Sequence, residues 1–265
     1  MAGKIRVGIG GWTFEPWRDN FYPAGWPKAR ELEYASTHVT AIEINGTFYS
    51  TQKPATWADW ATRTPDDFIF SVKASRFCTN RRILRDGAES IDRFINQGLS
   101  ELGPKLGPIL WQFAGTKQFD PEDMAGFLEM LPKQVDGVPL RHALEPRHES
   151  FRTGAFVELA RKANAAIVFA DADKHPQFAD LTADFTYARL QNAREDQPTG
   201  YSPSELDRWA ETAKGWAAGR APEGYAYIEP PASSVSGPRD AFVFMINGAK
   251  VRAPAGAMAL IERLR

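Results

Sequence analysis

The stretch ILWQFAGTKQFDPEDMAGFLEMLPKQVDGVPLRHALE, residues 109–145, contains one full turn of the pattern that decides the fold. Ile109–Phe113 is a short, continuous apolar run, as expected of a parallel strand covered on both faces. Asp120-Pro121-Glu122-Asp123 follows, with an N-cap residue, a proline suited to the first helical position and early acidic residues. The chain then returns to an apolar run at Leu140–Leu144. Strand, helix and strand in this order read as a βαβ unit with a parallel pair.

The same alternation extends in both directions. Ile5–Ile9, Val39–Ile44 and Phe68–Val72 precede the stretch, and Ala166–Ala170, Phe185–Leu190 and Ala241–Ile246 follow it, giving eight apolar runs. Helix signals lie between them. Asp86-Gly87-Ala88-Glu89 opens a helical stretch to Leu102, Ser202-Pro203-Ser204-Glu205 is a capping box, and Ala253-Pro254 precedes a closing helix to Arg265. The expected fold is α/β, a single (β/α)8 TIM-type barrel of parallel strands over residues 1–265. A doubly wound open sheet is the alternative that periodicity leaves open. Gly224–Asp240, with Pro230-Pro231 inside it, breaks the rhythm and reads as an insertion at 224–240.

Bulk properties exclude several function classes. The 265 residues are 43% hydrophobic and 25% charged, enough apolar material for a sizeable core. The formal net charge of −1 offers no global attraction to nucleic acid or anionic membranes. Cys78 is the single cysteine, so no internal disulfide or Cys-x-x-Cys metal site can form, which fits a reducing compartment. No run approaches the roughly 20 apolar residues of a membrane span. The expected location is cytoplasmic, with no membrane partner and an open oligomeric state. Gly-x-Ser-x-Gly, Gly-x-Gly-x-x-Gly and Walker-type motifs are absent, and no cofactor is called for.

Polar residues stand at the C-terminal ends of the strands, where barrels of this type carry their sites. Counting by twos places Glu43 and Asn45 with Ala41, and Lys73 with Ile69 and Ser71. It places Gln112 with Leu110, Glu145 and Arg147 with Ala143, and Arg189 with Tyr187. It also places Asp171 and Asp173 with Ile167 and Phe169, and Asn247 with Val243 and Met245. All are expected on one face, the inner rim of the mouth. The competing reading is that strand ends turn polar because they leave the core.

The same residues carry a family likeness. Gly10-Gly11-Trp12, Trp17 and Phe21-Tyr22-Pro23 resemble the opening of the DUF72 (YecE-like) family, as do Glu43-Ile44-Asn45-Gly46-Thr47-Phe48-Tyr49, Trp57, Thr64-Pro65 and Phe68–Lys73. Leu106–Phe113, Glu145-Pro146-Arg147-His148, Asp171, Tyr187-Ala188-Arg189-Leu190 and Tyr201-Ser202 continue it. The likeness runs from about Ile5 to the final helix. It implies a TIM-type barrel and no assigned activity. Asn80 and Gln191-Asn192 stand where the family usually has Thr-His and His-Gly motifs, and Met245-Ile246-Asn247-Gly248 where it has Phe-Asn-Asn. The loss of two histidines implies a changed or absent activity if they move protons or bind metal in relatives.

Four chemistries are compatible with these residues. The first is a hydrolase or lyase with Glu43 and Glu145 as an acid/base or nucleophile pair and Lys73 beside them. Its substrate, a polar or anionic small molecule such as a sugar or phosphoester, would be held by Trp12, Asn45, Tyr49, Gln112, Arg147, Asp171, Arg189 and Asn247. The second is a metal site from Glu43, Glu145, His148, Asp171 and His175, with no diagnostic spacing and with Lys73 and Arg189 opposing a cation. The third is nucleic-acid binding through the basic 73–85 loop, disfavoured by the acidic balance of the chain. The fourth is a binding module without turnover. The second and third are weighed against packed or solvated roles, and no metal is expected.

Overall fold

The computed structural model describes residues 2–229 and 237–265. Residues 230–236, inside the expected insertion, lie outside the described residues. Nine parallel strands make up the main sheet: β1 (Ile5–Gly10), β2 (Ala41–Ile44), β3 (Ile69–Lys73), β4 (Leu106–Gln112), β7 (His142–Glu145), β8 (Ala166–Ile167), β9 (Phe169–Asp171), β10 (Phe185–Leu190) and β11 (Asp240–Met245). β5 (Gln134–Val135) and β6 (Val138–Pro139) form a separate antiparallel pair. The order β8-β7-β4-β3-β2-β1-β11-β10-β9 starts and ends on segments one residue apart in the chain. The sheet therefore curls back on itself as a barrel. The sixth of the eight apolar runs is divided at Val168, one half pairing with β7 and the other with β10.

Two apolar layers follow from strand alternation. Ala41, Leu110, Ala143, Ala166, Val168, Tyr187, Phe242 and Phe244 pack together inside the barrel. Val7, Ile9, Phe70, Val72, Ile109, Trp111, Leu144, Phe169, Val243 and Met245 face the helices outside. Gly8 belongs to the inner set because a Cβ there would lie 2.2 Å from the Ala41 carbonyl oxygen and 2.9 Å from the Phe244 ring. The glycine lets the phenylalanine fill the interior.

The helices are α1 (Glu31–His38), α2 (Pro54–Thr62), α3 (Arg76–Thr79), α4 (Ala88–Ile95), α5 (Pro121–Glu129), α6 (Gly154–Lys162), α7 (Pro203–Ala217) and α8 (Ala253–Leu264). Both sequence caps form. The Asp120 carboxylate accepts from the Asp123 amide at 2.8 Å. Ser202 and Glu205 make the reciprocal capping box at the head of α7. The helical stretch expected from Asp86 to Leu102 is instead two pieces. α4 ends at Ile95, Gly98 turns at φ 109°, and a 3-10 segment begins at Leu99. Gly98 is required there because a Cβ would sit 2.8 Å from the Pro54 Cα.

Candidate active site

Arg189 on β10 is the hub of the barrel mouth. Its side chain is buried and reaches across the interior to two strands that do not neighbour its own. Its Nε and Nη2 donate to the Glu43 carboxylate of β2 at 3.0 and 2.9 Å. Its Nη1 donates to both Glu145 oxygens on β7 at 3.0 and 2.7 Å. The planar guanidinium grips Glu43 with two parallel N–H groups and still reaches Glu145, a geometry that the point charge of a lysine cannot reproduce.

Each carboxylate is further saturated. Glu43 accepts from Asn45 Nδ2 at 2.9 Å and from the Tyr187 hydroxyl at 2.7 Å. That hydroxyl also meets Ser71 Oγ at 2.7 Å. Glu145 accepts from Gln112 Nε2 at 2.8 Å and from Arg147 Nε and Nη2 at 3.2 and 3.0 Å. Burial works to raise the Glu145 carboxyl, but the charges of Arg189 and Arg147 outweigh it and hold the group below its usual range. Burial and the Glu43 charge push the Tyr187 hydroxyl well above its usual range, so it remains a donor.

Lys73 ends β3 beside this lattice. Its ammonium lies 4.2 Å from the Phe48 ring centroid, and no hydrogen bond to it exists among the described residues. It is 9% exposed. Burial first, then the charge of Arg189, pulls its pKa down to about 8, against the opposing pull of Glu43 and Glu145.

Glu43, Asn45, Lys73, Gln112, Glu145, Arg147 and Arg189 thus converge by the inward parity of their strands. Asp171 and Asn247 do not share that face. Their same-parity neighbours Phe169, Val243 and Met245 pack outward against the helices, so the single-face expectation is corrected for these two strands. Asp171 accepts from the Tyr201 hydroxyl at 2.9 Å and from Asn192 Nδ2 at 3.2 Å. Asn247 donates to Gln191 Oε1 at 3.2 Å. All five line a cavity of about 670 Å³ outside the C-terminal ends of β9, β10 and β11.

The two aromatic wall residues are also displaced. Trp12 packs edge-on against Trp60 and Phe70, part of the outer layer. Tyr49 is 69% exposed, with its ring 5.1 Å from that of Phe48. Phe48 is the ring that meets Lys73. Tyr187 and Ser71 were legible as inward positions, two residues before Arg189 and Lys73, but their hydroxyls gave no signal of chemistry by themselves. His175 borders the cavity, and burial followed by the Arg147 charge lowers its pKa, so it stands within electrostatic reach of the lattice.

The ligand types considered for a metal do not assemble: no group of three or more His, Cys, Asp or Glu placed to hold an ion occurs among the described residues. His148 instead caps the 3-10 turn at Glu149–Phe151. The basic 73–85 loop is also dispersed. Lys73 points inward, Arg81 donates to the Asp86 carbonyl, Arg76 lies over Phe77, and Arg85 pairs with Glu122. Among the described residues no helix is long and apolar enough to cross a membrane.

Known proteins agree with this architecture. A crystallised DUF72 family protein from Thermotoga maritima MSB8 superposes with a TM-score of 0.74 at 22% identity, covering 98% of this chain and 99% of that one. A second, from Enterococcus faecalis V583, gives 0.66 at 16% identity over 99% and 98%. The UPF0759 protein YunF of Bacillus subtilis (strain 168) is 27% identical over 159 residues, which is 58% of this chain. The matched segment spans about half that relative's length, 54%. The family model described as protein of unknown function DUF72 matches residues 6–265, and the chain belongs to that family.

Proposed function

We propose that the chain is an enzyme of lyase or isomerase type that uses the Lys73 amine as a base on a small anionic carbonyl compound at the barrel mouth. The observation that carries this reading is the state of Lys73: nine-tenths buried, its ammonium without a hydrogen-bond acceptor among the described residues, and poised near pH 8. A lysine so placed gives up its own proton near pH 8 and can then take one from a substrate. It would take a proton from the carbon beside the carbonyl. The electron pair left behind would move onto the carbonyl oxygen, where the Arg147 charge would stabilise it. Arg147 is suited to this because its side chain stays 21% exposed while Arg189 is enclosed. With Lys73 as the neutral base, Arg147 and Arg189 balance Glu43 and Glu145; once Lys73 takes the proton the site gains one positive charge, which favours the negative charge then developing on the substrate.

A hydrolase built on Glu43 and Glu145 fits less well. Such chemistry needs one carboxyl to carry a proton. Arg189 bridges both groups, and Glu145 is held ionised. The pair instead serves as a fixed counter-charge that keeps Arg189 and Lys73 in place.

A second reading, contact with single-stranded nucleic acid, draws on a separate observation. Tyr49 and Phe77 are 69% and 62% exposed, one at the end of the turn after β2 and the other on α3 after β3, and Arg76 lies beside Phe77. Affinity for short oligonucleotides that falls steeply with salt would favour it.

The test of the first reading is deuterium wash-in. 2-Keto acids and ketose or aldose phosphates are incubated with the protein in D2O and followed by proton NMR. At least one should exchange its α-proton, with a rate that rises with pH and levels off above about 8, since only the neutral amine is a base. Lys73→Ala should lose about 100-fold or more, and Lys73→Arg should not restore it. Exchange that Lys73→Ala leaves unchanged, or none with any compound, sinks the proposal.

A further inference from the structure

The cavity outside β9, β10 and β11 is separate from the lattice inside the barrel, and its chemistry is different. Asp171, Asp173 and Glu205 face Lys174, Arg194 and Arg208 around its wall, so the formal charges cancel. Two of the six are already spent on each other, because Arg194 donates to both Glu205 oxygens at 3.0 and 2.6 Å. A neutral ligand is favoured over an ion by this balance.

The hydrogen-bonding groups are mixed in the same way. Asp171 and Asp173 can only accept. Asn192 bridges them, donating to Asp171 at 3.2 Å and to Asp173 at 3.1 Å. Tyr201 donates to Asp171 while its oxygen accepts from the Asn192 amide at 3.0 Å. Gln191 is the exception. It lines the cavity at 9% exposure, its Oε1 is taken by Asn247, and its Nε2 is buried with no acceptor. Buried amide donors are nearly always paired, and an orphan is a cost the fold accepts for some reason. Burial, reinforced by the Asp173 charge, also raises the Asp171 pKa. That carboxylate is short of solvent, and the Arg208 charge offsets its burial only in part.

We propose that this cavity is a binding site for a neutral polyhydroxylated ligand, a free sugar or sugar alcohol, independent of Lys73. A hydroxyl is both donor and acceptor. One ligand hydroxyl can therefore donate to Asp171 or Asp173 while its neighbour accepts from Gln191 Nε2 after a small side-chain adjustment. A cavity of about 670 Å³ lies in the range of sites for small ligands and accommodates a monosaccharide. The ligand would supply the acceptor that Gln191 lacks and a further donor to the partly buried Asp171.

The experiment is titration of the intact chain with D-glucose, D-ribose and sorbitol, followed by saturation-transfer NMR. Saturable binding of at least one is expected in the millimolar range, the affinity of a few hydrogen bonds made in competition with water. Asp171→Asn and Gln191→Met should each weaken it at least tenfold, while Lys73→Ala leaves it unchanged. Asp171→Asn can disturb the Tyr201 and Asn192 contacts, so Gln191→Met is the firmer arm: it removes the orphan donor at similar volume, the exposed Asn247 amide that loses its acceptor can turn to water, and the variant should melt no lower than the parent chain. No saturable binding of any of the three up to about 100 mM overturns the proposal. So does binding that survives in Gln191→Met. Binding lost in Lys73→Ala but kept in both cavity variants would move the ligand to the barrel mouth and overturn it equally.

Discussion

His142 illustrates how a single side chain reads differently in sequence and in structure. By position it is an unremarkable histidine in the fifth apolar run, expected to be packed or on the surface. In the fold its Nδ1 accepts from the Trp111 indole at 3.0 Å and its Nε2 faces the Pro132 carbonyl at 2.8 Å. That arrangement suits only the neutral ring with the proton on Nε2, since a proton on Nδ1 would confront the indole N–H. Burial lowers its pKa to about 4, against the pull of the Pro132 bond. The folded ring thus resists a proton that the unfolded chain takes up near pH 6.5. Between those values the unfolded state binds more protons, so stability should rise with pH from about 4 to 6.5 and be lost on acidification. Urea midpoints measured across that window should show the slope. His142→Phe should flatten it while lowering stability by about 1–3 kcal/mol at neutral pH, because the indole N–H loses its acceptor.

Among strands and helices, the legible features were those written in local chemistry. Phe185–Leu190 coincides with β10 residue for residue, and the caps at Asp120 and Ser202 form where their side chains demanded. Misreadings arose where a distant contact decides. The helix after Asp86 breaks at Gly98 because Pro54 of α2 occupies the space a side chain would need. The sixth run divides at Val168 because its two halves serve different neighbours. Strand parity placed seven candidate residues inside the mouth. It failed for Asp171 and Asn247 because a count by twos does not reveal which of its two faces is inward. Hydrophobicity could not help there, since strands covered on both sides are apolar on both. Trp12 and Tyr49 were displaced for a related reason: they lie on loops past the strand ends, where no periodicity holds.

Across the barrel as a unit, Arg189 joins walls that have no backbone pairing with its own strand. Removing it as Arg189→Met would leave Glu43 buried without its paired cation and Glu145 with Arg147 alone. Loss of one partner of a buried ion pair costs about 3–5 kcal/mol, so the urea midpoint should fall by a corresponding amount. Adding Glu43→Gln and Glu145→Gln to that variant should recover much of the loss, because neutral amides tolerate burial far better. If Arg189→Met alone is as stable as the parent chain, the lattice is not what holds the mouth closed.

The divided sixth strand gives the barrel a seam. β8 meets β7 at two positions and β9 meets β10 at three, whereas β10 and β11 share six. A closed cylinder opens first along its weakest staves, and opening there costs less than global unfolding. Amides of residues 166–171 should therefore exchange with deuterium sooner than those of β11, and uniform protection around the ring would refute it. Glu145 and the Asp171 cavity border that seam on its two sides. Breathing of the wall there would open a lateral route for small molecules in addition to the mouth.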